Sequence, residues 1–119
     1  MVTVTPDVGK NRLVLEFRGR PGVEHLPAIE SQLRISISRL KAPFDVLSDV
    51  RALEGFEVPL DEMQRLAMII AAERPRRVVR VVGKSAAGAV HMERLARLIK
   101  HSAHLAFSLE EAEQVFASR

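Results

Sequence analysis

The chain has 119 residues, 47% hydrophobic and 28% charged, a globular composition that excludes a disordered tail or a collagen-like fibre. With no cysteine, it can form no disulfide, thiolate nucleophile, zinc knuckle or iron–sulfur cluster. A net charge of +3 without Trp or Tyr favours solubility but supplies few aromatic platforms for nucleic acid.

The length suits a single domain over residues 1–119, able to bury roughly two-thirds of its unfolded surface. The longest apolar stretch, residues 66–72, is far short of the ~20 residues of a membrane span. The start MVTVTPDVGK has no basic segment leading into an apolar run, so no signal peptide is expected and a cytoplasmic setting is.

Residues 2–5 alternate as a short strand. A turn around Asp7, Gly9 and Asn11 leads into RLVLEFR, residues 12–18. There Leu13, Leu15 and Phe17 take one face and Val14 the other, which predicts a half-buried second strand and an opening hairpin. Residues 20–22 break it. Leu26, Ile29, Leu33, Ile37 and Leu40 then recur at helical spacing, and the residue before Pro43 stops that helix. FDVLSDV, residues 44–50, reads as a buried strand, and LEGFEV, residues 53–58, as a loop.

Pro59 suits a first helical turn, and Asp61 and Glu62 suit its positive end. Leu60, Met63, Leu66, Ala67, Ile70 and Ala71 make the second apolar stripe. Residues 78–82 are apolar except for Arg80, a strand covered on both faces. Gly83 ends it and Ser85 can cap a third helix carrying Met92, Leu95, Ala96 and Ile99. A short strand at residues 104–107 precedes Ser108, which with Glu111 has capping-box spacing. Leu109, Ala112, Val115 and Phe116 form the last helix. Strands alternating with helices predict an α/β fold: a largely parallel sheet of about five strands with an antiparallel hairpin at its start, and about four helices.

This order resembles the SpoIIAA-like branch of the STAS (sulfate transporter and anti-sigma-factor antagonist) superfamily. The segments that carry the resemblance are RLVLEFRGRP, PFDVLSDVRALEGFEVPLDEM, RRVVRVVGKSAAG and AFSLEEAEQVFAS. It implies a βα superhelix with a mixed sheet, and a non-enzymatic regulatory or interaction module that binds a partner protein. In the anti-sigma antagonists a Ser or Thr at the start of the helix after the central strand is phosphorylated. The equivalent stretch here is Glu57, Val58, Pro59 and Leu60, without a hydroxyl, so no phosphorylation site is carried over. Fold analogy also admits a carrier or sensor of a small apolar, lipid-like ligand, held between the second and third helices and the sheet.

Ligands of parallel sheets bind beyond the C-terminal strand ends. The expected contact surface is therefore Asp49, Arg51, Glu54 and Phe56, with Phe56 as an exposed anchor or folded back on the core. A structural role for Asp49, fixing a turn, is the competing reading. Gly83, Lys84 and Ser85 offer an anion site at a strand-to-helix turn, the basis of a weaker phosphate- or nucleotide-binding alternative. The phosphate-loop pattern fails, because Val78 stands where its first glycine belongs. His91, His101 and His104 cannot converge on one ion from a straight helix, so no metal and no cofactor are expected. Arg74, Arg76, Arg77 and Arg80 form a basic cluster around Pro75, either a solvated helix end or a dock for an acidic partner. No G-x-S-x-G elbow exists, and no catalytic residue is assigned. The first strand offers an edge through which a homodimer could pair.

Overall fold

The computed structural model describes residues 1–82 and 103–118. Five strands form one sheet in the order of the chain: β1 (Val2–Asp7), β2 (Arg12–Gly19), β3 (Asp45–Leu53), β4 (Val78–Val81) and β5 (His104–Ala106). β1 runs antiparallel to β2, and every later pairing is parallel. Three helices are described: α1 (Leu26–Ser38), α2 (Leu60–Ala71) and α3 (Leu109–Ala117). A single 3-10 turn, Val23–His25, leads into α1. The helix expected around Met92 lies outside the described residues.

The hairpin turn closes because Asn11 adopts a left-handed backbone, φ 52°, which Asn tolerates better than most residues. Its side-chain amide also donates to the Lys41 carbonyl at 2.7 Å and accepts from the Lys41 N–H at 2.8 Å. The turn thus ties down the end of the α1 segment. α1 stops at Ser38, short of Pro43, as Arg39 and Leu40 donate back to Ser36 and Ile37 in a tightened last turn.

Strand alternation sorts the core. Leu13, Leu15 and Val46 point to the face covered by α1 and α2, where they meet Ile29, Leu33 and Leu66. Leu47, Val79, Val81 and Ala106 point to the other face and meet Ala112 and Phe116 of α3. β3 is longer than its apolar run suggested and continues to Leu53. The reason is pairing: after an irregularity between Glu16 and Arg18, Arg18 and Gly19 sit opposite Ala52 and Leu53.

α3 begins as its sequence predicts. Ser108 Oγ accepts from the Glu111 N–H at 3.1 Å, and the Glu111 carboxylate accepts from the Phe107 N–H at 2.8 Å. Ser108→Ala removes the first of these and is expected to cost about 1 kcal/mol, read as a lower urea midpoint at unchanged slope.

Candidate functional site

The two faces of the sheet offer different chemistry. Between α1, α2 and the sheet lies a cavity of about 120 Å³. Leu15, Val46, Ile29 and Leu66 are among its walls, and Phe17, Phe56 and Val58 also line it. Phe17 and Phe56 meet edge to face, ring centroids 5.8 Å apart, a favoured aromatic geometry. Among the described lining residues only Ser48 and Arg80 carry polar side chains. They are direct register partners across β3 and β4, and each is only 5% exposed.

On the opposite face α3 covers the β4–β5 side, while the upper β2–β3 surface carries a patch of paired charges. The Arg51 guanidinium clamps the Asp49 carboxylate with contacts of 2.9 and 2.8 Å, and the Arg51 N–H adds a third at 3.1 Å. Burial pushes the Asp49 carboxyl up, but these bonds and the nearby Arg18 charge outweigh it and hold the group below the usual aspartate value. Glu16 stands opposite Asp49 in register and pairs with Arg18 at 3.2 Å. The two carboxylates face each other across the strands, and each carries its own arginine, which offsets their repulsion. With its carboxyl ionised and bound by Arg51, Asp49 is poised for recognition rather than for donating a proton.

The expected contact residues therefore separate. Asp49 and Arg51 share the charged face. Asp49 lies mid-strand rather than at the strand end, because β3 runs four residues further. Glu54 follows β3, exposed, with its N–H bonded to the Gly19 carbonyl at 2.8 Å. Phe56 folds back and packs against Val50, Leu53 and Met63 on the cavity side. Gly83, Lys84 and Ser85 lie outside the described residues, as do His91 and His101. His104 is exposed on β5, and among the described residues no group of three metal-ligating side chains converges.

The arginine cluster is dispersed by the fold. Arg76 grips Asp45 at 2.9 and 2.8 Å and donates to the Phe116 carbonyl at 2.9 Å. Arg77 donates to the Ser118 carbonyl at 2.8 Å. Arg80 turns into the cavity wall. Two of the four thus fasten the end of α3, and no single basic patch results. The sequence reading placed an apolar pocket between the second and third predicted helices and the sheet; the cavity instead lies between α1, α2 and the sheet. Its one signal was Arg80 interrupting an apolar strand, and that signal becomes informative only when the register places Ser48 beside it.

Strand order, the antiparallel first pair and helices on both faces define a SpoIIAA-like α/β fold. A solved structure titled as the unphosphorylated form of the anti-sigma factor antagonist SpoIIAA superposes with a TM-score of 0.61. The match covers 99% of this chain and 100% of that one, at 10% sequence identity. No protein-family model matches the chain, and no curated protein matches it in sequence. Among the described residues no helix is long and apolar enough to cross a membrane.

Proposed function

We propose that this chain is a non-enzymatic regulatory module that acts by binding a partner protein through the charged face around Asp49 and Arg51, with Glu54 at its rim. The observation that carries this reading is the likeness, over nearly the whole chain, to an anti-sigma factor antagonist. The half-exposed Arg51 clamp supports it, because a rigid, bidentate ion pair presents a fixed pattern of donors and acceptors. Phe56 contributes by shaping the loop beside that face.

The test is affinity capture from host lysate with the wild-type chain and Arg51→Glu. Arg51 is exposed on the sheet surface, so the substitution should shift the melting temperature by only a few degrees. The reading expects a protein retained by the wild type and lost with Arg51→Glu. Identical capture by both would exclude this face. Phe56→Ala is a poor probe, since it also removes ring packing against Phe17.

A second reading rests on the cavity: the module carries or senses a small apolar ligand. Its walls are apolar but for Ser48 and Arg80, which is how small-molecule sites are generally built. Mass spectrometry of the purified chain under native conditions, and of its organic extract, should then show a bound small molecule.

A further inference from the structure

We propose that the cavity between α1, α2 and the sheet takes a compact uncharged ligand of about six carbons with a single oxygen, that oxygen hydrogen-bonded to Ser48 Oγ; this rests on the carrier reading above. Alternation along β3 turns Val46, Ser48 and Val50 toward the side covered by α1 and α2. Valine would suit the middle position as it does the outer two. A hydroxyl there is costly to bury unless it is satisfied. Ser48 is 5% exposed and lines the cavity, and its side chain makes no hydrogen bond to any described residue. Hydrogen-bonding capacity is thus left over inside an apolar space, on the floor that the sheet provides.

Water is a poor occupant for that hydroxyl. A buried water makes about three hydrogen bonds, and the other polar residue of the wall, Arg80, already has a partner of its own. The same fact leaves the ligand uncharged. A bound ion needs a counter-charge not otherwise engaged, and the remaining described walls offer none. A serine hydroxyl can donate to a carbonyl or accept from an alcohol, so one neutral oxygen is what Ser48 matches. The rest of the ligand follows from Ile29, Leu33, Leu66 and Ile70, which offer only hydrocarbon. The volume of about 120 Å³ is close to the roughly 150 Å³ apolar cavity that accepts benzene, which sets the size at about one six-membered ring.

The experiment titrates the isotope-labelled full chain, followed by NMR, with three probes built on one ring: phenol, benzene and benzoate. Saturable shifts at Ile29, Leu66 and Ile70 are expected with phenol and with benzene. Benzoate should bind at least about tenfold more weakly than phenol, because its charge would leave water without a partner. Ser48→Ala should weaken phenol about tenfold and leave benzene unchanged, a split that a general loosening of the core would not produce. Ala67→Leu fills the cavity from α2 and should abolish the shifts with both. Should that variant not fold, the probe series and Ser48→Ala still decide. Phenol binding that Ser48→Ala leaves unaltered would overturn the Ser48 assignment while leaving the carrier reading intact. Benzoate bound as tightly as phenol would overturn the uncharged class. No saturable shift with any probe would overturn both this assignment and the carrier reading.

Discussion

Phe44→Ala is expected to lower the melting temperature by about 10–20 °C. Phe44 enters β3, is 2% exposed and is among the largest fully buried side chains. It packs with Leu13, Leu33 and Val46 in the core under α1 and α2. Its carbonyl also accepts from the Arg76 N–H at 2.8 Å, so the backbone there is held in place and cannot readily collapse into the vacated space. A phenylalanine deleted from such a site costs about 3–5 kcal/mol, transfer and cavity terms together. Against a total stability of about 5–15 kcal/mol, that is a large share. Thermal melts of the two proteins measure it, and a shift of only one or two degrees would mean that the site relaxes far more than its packing implies.

The second large effect is an inequality between two substitutions at one ion pair. Arg12 lies under α3, its guanidinium carbon 3.8 Å from the centre of the Phe116 ring. Its side chain is 7% exposed, while Glu113 above it is 48% exposed. Arg12 donates to the Glu113 carboxylate at 2.5 Å, with a longer contact at 3.5 Å. Glu113→Ala leaves the buried guanidinium without that acceptor and should cost about 1–3 kcal/mol. Arg12→Met removes the buried charge, keeps an apolar stem against Phe116 and should cost less.

The pair also has an acid signature. The Arg12 hydrogen bond, more than burial opposes it, holds the Glu113 carboxyl below the usual glutamate value, with Lys10 adding to the effect. A carboxyl lowered in the folded state stabilises fully above its unfolded value. That contribution is lost as pH falls through the folded one, where the unfolded chain binds the extra proton. Wild type should therefore lose stability on acidification below about pH 4.5 more steeply than Glu113→Gln, as denaturation midpoints across pH 3–6 would record. Parallel curves would mean that Glu113 is not coupled to folding.

The fold was legible because its signals are local. Period-two alternation in Leu13, Leu15 and Phe17, period-3.6 stripes in α1 and α2, and the Ser108–Glu111 cap each reside within a few residues. What was not legible depends on register. Nothing local to Arg51 or Ala52 announces a strand; they belong to β3 because β2 continues alongside. Ser48 and Arg80 are 32 positions apart, and only parallel pairing makes them neighbours. The expected contact set was drawn at a strand end placed near Val50, whereas β3 runs on to Leu53. A strand sends alternate residues to opposite faces, and the chain turns after β3, so Asp49 and Phe56 end on different sides of the sheet.

The coincidence of strand order with chain order has a kinetic consequence. Each strand docks beside the one made just before it, so every crossover closes a modest loop at a modest entropic cost. Assembly can spread outward from the β1–β2 hairpin without waiting for distant partners. The clasp of Glu113 by Arg12 and Lys10 is the exception, joining positions 101 and 103 apart. Late seating of α3 is the expected result, and hydrogen exchange should then find its amides less protected than those of α1 and α2.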